Sequence, residues 1–149
     1  MYQELLLHAR PQGAMQWEFT ADYSTVKTGT NPPDLLPTHR FWFVKHFTDL
    51  TPRNADALAT SSDHFKVLFT AFAGEREGRR VYTLHVANLG AARQVTIQGL
   101  PEDGRLLRTV RTSESEQFRE LPAVKAEGGA IRLQMPARAL VTLTSLEGR

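Results

Sequence analysis

Apolar residues are spaced differently in the two parts of this chain, and the change falls near Thr51–Pro52. Beyond it the period is two. Phe65, Val67 and Phe69 alternate with Lys66, Leu68 and Thr70, and the polar turn 75–79 leads into a strand from Val81 to Asn88. Arg93, Val95 and Ile97 alternate with Gln94, Thr96 and Gln98, and Pro101-Glu102-Asp103-Gly104 turns the chain into a strand from Leu106 to Arg111. The polar stretch Thr112 to Glu120 reads as a long loop. Ile131, Leu133 and Met135 mark a further strand, and Ala139 to Leu146 the last. About six short strands separated by turns and without long helices predict an antiparallel β-sandwich.

Ahead of Thr51 the grammar is mixed. Tyr2, Leu5, Leu6 and Ala9 have helical spacing, stopped by Arg10-Pro11-Gln12-Gly13. Ala14 to Ala21 alternates as a strand, with Met15, Trp17, Phe19 and Ala21 on one side. A loop rich in proline and glycine reaches Pro37. Thr38 is then expected to cap a helix running from His39 to Asp49, whose Phe41, Trp42, Phe43, Val44 and Phe47 put apolar groups nearly all round it. Helix, strand, loop, helix is a fragment of parallel α/β structure. The expected architecture is therefore mainly β: an antiparallel sandwich over 51–149 preceded by an incomplete α/β segment over 1–50.

Composition changes this picture little. The 149 residues are 41% hydrophobic and 23% charged, enough for one core, with a formal net charge of +2. No long run of like charge occurs, so a nucleic-acid partner is not expected. No apolar run reaches membrane-spanning length, so no membrane partner is expected either. The absence of cysteine removes disulfides, thiolate metal sites and cysteine nucleophiles. Leu5, Leu6 and Leu7 are too short for a signal-peptide core, so a leader in an exported parent is expected upstream of Met1.

The stretch Arg40-Phe41-Trp42-Phe43-Val44-Lys45-His46-Phe47-Thr48-Asp49-Leu50-Thr51-Pro52 resembles the barrel-to-sandwich junction of glycoside hydrolases of the glucosylceramidase and glucuronoxylanase type, in the clan A barrel enzymes. Gln16 to Asp22 resembles the eighth barrel strand of that family. The run Leu133 to Leu143 is similar to its terminal pattern, with Ala139 where a serine is usual. The resemblance implies that residues 1–50 are the remnant of a (β/α)₈ barrel and 51–149 its C-terminal sandwich. It also implies that both catalytic carboxylates of a retaining enzyme, about 5–5.5 Å apart, lie on barrel strands that precede this chain. The expected role is a non-catalytic, structural accessory to the barrel.

By the same resemblance Trp17 matches a substrate-binding aromatic at the barrel mouth, although core packing with Met15 and Phe19 is the plainer expectation. Glu18 and Asp22 at a strand end read as solvated carboxylates. His8, His39, His46, His64 and His85 lack the spacing of metal ligands, so neither metal nor cofactor is expected, and His46 reads as a hydrogen-bonded core histidine. Ser24, Ser61, Ser62 and Ser113 lack a nucleophile-elbow setting. Trp42, Phe41 and Phe43 are expected to be buried. Two other readings stay open: a free-standing carbohydrate-binding module, and an interaction domain that homo-oligomerises through its uncovered barrel remnant.

Overall fold

The computed structural model describes residues 24–29 and 34–147. The expected helix over 2–9 and strand over 14–21, with Trp17, Glu18 and Asp22, lie outside the described residues. From Val26 onward the order is β1 (Val26–Thr28), β2 (Leu35–Pro37), α1 (His39–Leu50), β3 (Asp56–Leu58), β4 (Val67–Arg76), β5 (Arg79–Asn88), β6 (Arg93–Gln98), β7 (Leu107–Thr112), β8 (Arg119–Val124), β9 (Ala130–Met135) and β10 (Ala139–Thr144).

The fold is mainly β and its paired strands are antiparallel. A six-stranded sheet runs β3-β4-β5-β10-β7-β8, a two-stranded sheet joins β6 to β9, and β1–β2 is a short hairpin. The β4–β5 hairpin turns through Glu77 and Gly78, both at positive φ (54° and 73°). That is the two-residue turn whose twist matches the flanking strands.

Alternation along each strand gives the six-stranded sheet two different faces. On the inner face Val67, Ala71, Leu84, Val86, Leu107, Val141 and Leu143 pack with Ile97, Ile131, Leu133 and Met135 of the small sheet, forming the apolar core. On the outer face β5 presents Thr83 and His85, β10 presents Thr142 and Thr144, and β7 presents Thr112, all buried. Helix α1 covers this face.

Four strands appear where none was expected. The hairpin β1–β2 lies in the segment expected to be a loop reaching Pro37, Thr112 to Glu120 was expected to be one loop yet β8 starts at Arg119, and β3 precedes the first strand expected after Thr51. Both β3 and β8 are edge strands of the six-stranded sheet, and β8 carries Pro122, which a central strand would not accommodate. The strand expected from Phe65 begins at Val67, with Phe65 83% exposed in the preceding turn. Thr38 occupies the N-cap position of α1, but its hydroxyl does not cap the helix. It donates instead to the carbonyls of Thr25 (2.9 Å) and Ser24 (3.1 Å), tying the segment before β1 to the helix start.

Candidate functional site

The chemistry of the described residues concentrates between α1 and the outer sheet face. The helix sends His46 inward; the ring is fully buried, and both its nitrogens find threonines. Nδ1 lies 2.7 Å from Thr142 Oγ1 and Nε2 2.9 Å from Thr112 Oγ1. From the sheet, His85 Nδ1 meets the same Thr142 hydroxyl at 2.8 Å, and its Nε2 reaches Thr51 Oγ1 at 2.9 Å. Thr83 donates to the carbonyl of Leu50 at 2.5 Å and contacts Thr144 Oγ1 at 2.7 Å.

Burial pushes His46 down to about 3, and it pushes His85 to about 3 as well, helped by repulsion from His46. Both rings are neutral at ordinary pH, and each then carries one N–H. Thr142 has one hydroxyl proton and no other recorded acceptor, so it donates to one Nδ1 and accepts from the other. The two histidines therefore hold opposite tautomers, one protonated at Nδ1 and the other at Nε2.

Aromatic rings close the layer. Phe47 lies over His85 with centroids 4.3 Å apart, and Phe118 lies edge-on to His46 at 5.0 Å and tilted under Trp42 at 6.4 Å. Phe118 takes a left-handed φ of 47°, unusual for an aromatic residue, and its N–H donates to Thr112 Oγ1 at 3.0 Å. Gly74 lets the chain leave the helix close to the sheet, since a Cβ there would lie 2.8 Å from Pro52 Cβ. Each of these contacts fixes the helix on the sheet. Every ring nitrogen of His46 and His85 is met by a threonine hydroxyl.

The remaining candidates separate in space. His46 is a hydrogen-bonded core histidine, as expected, whereas His39 is exposed at the helix start. Phe41, Trp42 and Phe43 are half-buried, none of them an exposed platform, and Trp42 Nε1 is a buried donor without a partner. His64 stacks on Phe65 at 5.2 Å, and its Nε2 accepts from Arg93. Ser61 and Ser62 are exposed; Ser24 and Ser113 are buried. Glu116 is held by Arg111 (2.5 and 2.7 Å) and Arg119 (2.5 Å), and the Arg111 hydrogen bonds lead in lowering it to about 2. That is the opposite of what a general acid needs.

Among the described residues no three His, Cys, Asp or Glu side chains cluster as metal ligands, and no helix is long and apolar enough to cross a membrane. The threonines that serve the two histidines were missed in the sequence. The available signal was period-two polarity in Thr83/His85 and Thr142/Thr144, which ordinarily marks a solvent-facing side.

No family model and no curated protein matches the chain. Solved structures do share its fold. A family 30 glycoside hydrolase endoxylanase from Clostridium papyrosolvens is 16% identical over 72% of this chain and 28% of its own, with a TM-score of 0.63. A family 30 subfamily 8 xylanase from Clostridium acetobutylicum is 13% identical over 81% and 30%, at 0.66. The catalytic domain of family 30 xylanase C from Talaromyces cellulolyticus is 17% identical over 81% and 27%, at 0.67. The chain thus spans less than a third of each of these structures, and its mainly β, antiparallel architecture is the one expected from the sequence.

Proposed function

We propose that this chain is the accessory β-sandwich region of a larger glycoside hydrolase acting on a β-linked polysaccharide of the xylan type, and that its task is to hold the last barrel helix. The observation that carries this reading is the α1–sheet interface. A helix whose buried histidine is matched at both ring nitrogens by threonines of the sheet is fixed in rotation and register as well as buried. Sharing a fold with part of longer xylanases, less than a third of each being matched, supports the same reading. The residues of 1–50 would then belong to the barrel and those of 51–149 to the sandwich, with catalysis supplied by carboxylates outside this chain.

The test is hydrolysis. The chain alone is incubated with glucuronoxylan, arabinoxylan, β-glucan and a set of aryl-β-glycosides, and reducing ends are counted. The expected result is no release above the blank. Steady turnover abolished by a single carboxylate substitution within the chain would overturn the proposal.

A further inference from the structure

The contact between α1 and the sheet is fitted to neutral imidazole, and we propose that it is an acid-released latch: proton uptake by His46 and His85 frees α1 while the apolar core between the two sheets stays intact. The proposal concerns this chain's own interface and does not require the hydrolase reading.

The hydrogen bonds run in one line, from Thr51 through His85, Thr142 and His46 to Thr112. Phe118 sets their direction. Its N–H donates to Thr112 Oγ1 at 3.0 Å, and Thr112 is fully buried. Among the described residues the Thr112 hydroxyl proton has one acceptor, His46 Nε2, 2.9 Å away. The reverse direction would leave that proton buried without a partner. His46 therefore carries its own proton on Nδ1 and donates to Thr142 Oγ1. Thr142 in turn donates to Nδ1 of His85, whose proton sits on Nε2 and points to Thr51 Oγ1. Each donor points toward Thr51, which lies half-buried at the helix end.

An added proton has no place in this line. On His46 it would sit on Nε2, facing the proton of Thr112; on His85 it would sit on Nδ1, facing that of Thr142. Either hydroxyl would then have to turn its proton into a buried site. Among the described residues no carboxylate hydrogen-bonds to His46 to balance its charge. On α1 itself Lys45 and Asp49 pair with each other, and His39 is exposed. On the same sheet face β7 presents Arg108, paired to Glu120, and the turn before β8 holds Glu116 between Arg111 and Arg119. No residue of β10 or β2 is charged, and β5 brings His85 itself to this face beside Thr83 and Ala87. The exposed Arg53, Glu75, Arg76 and Glu147 line the cleft at the helix end. Burial accordingly holds both rings at about 3. The inner face gives acid nothing to act on, since its core cluster contains no titratable group. With 12 residues, α1 is too short to persist once detached. Acid therefore removes the helix before it reaches the two sheets.

The experiment takes the ¹⁵N-labelled chain from pH 7 to pH 3 and reads the histidine ring nitrogens and the backbone amides. At pH 7 the expected tautomers are Nδ1–H for His46 and Nε2–H for His85. As pH falls, the amides of residues 39–50 and Phe118 should leave their native positions together. The ratio of released to docked helix should rise about a hundredfold per pH unit, the mark of two protons taken up. The amides of Leu84, Val86, Val141 and Leu143 should stay native through that transition. The double variant His46→Gln with His85→Gln keeps groups that accept and donate but do not titrate, and it should hold α1 docked down to pH 3. If that variant does not fold, the two sets of amides in the unaltered chain still decide. Loss of the core-strand amides at the same pH as those of α1 would overturn the proposal. So would charged rings with α1 still in place, an unchanged spectrum down to pH 3, release of α1 at the same pH in the double variant, or the reversed tautomers.

Discussion

The two faces of the six-stranded sheet are built on opposite principles. The inner face is held by Leu84, Val86, Val141 and Leu143 against Ile97, Ile131, Leu133 and Met135, a contact without direction that tolerates small rotations of one layer on the other. The outer face is equally buried but carries a polar set among its apolar Phe72, Val110 and Leu140: His85, Thr83, Thr142, Thr144 and Thr112 meet His46, Leu50 and Thr51 through hydrogen bonds. Apolar contact there would stabilise the helix in several rotations. A shared hydroxyl between two imidazoles accepts only one. The inner face supplies stability, and the outer face supplies position.

Acid should separate the two faces most. Both histidines have folded values near 3 against about 6.5 when unfolded. The unfolded chain therefore binds protons first as pH falls, and the stability present above pH 6.5 is lost between about 6.5 and 3. At pH 5 the loss amounts to about 2 kcal/mol per ring, or about 4 kcal/mol together. Urea unfolding at several pH values checks this; a flat profile between pH 7 and 5 would show that the rings titrate normally.

Next in size is the inner face. Leu143, fully buried, should cost about 3 kcal/mol when cut to alanine, with the pH profile displaced but unchanged in slope. The third prediction concerns Thr142→Val, which keeps the shape and removes the shared hydroxyl, leaving an Nδ1 on each ring without its partner. A loss of about 2 kcal/mol is expected, together with a changed ring ¹⁵N spectrum for His46 and His85. If that variant is neutral and its ring spectrum unaltered, the hydroxyl is not the link between helix and sheet.

Legibility in the sequence followed burial on one face. The strands β5, β6, β9 and β10 were readable because each puts apolar residues at alternate positions into the inner core, and α1 because its apolar residues run into Thr51–Pro52. The short β1, β2 and β3 hold three residues each, too few to show a period. The strand β8 was hidden by its polar, proline-containing edge character. Of the polar layer, His46 was legible as a core histidine, but its partners lie 66 and 96 residues away, and no local pattern announces that distance.

The sequence by itself determined the class of structure: strand periodicity after Thr51, a helix ending there, and a chain without cysteine. Those features are local, decided by which neighbouring residues share a face. Only the tertiary structure decided that polar alternation in β5 and β10 marks a buried surface rather than a wet one. Only it brought His46 and His85 onto one hydroxyl, and only it paired β6 with β9 alone among the described strands. The physical reason is the same in each case. Whether a threonine faces water or a histidine depends on what the rest of the chain lays over it.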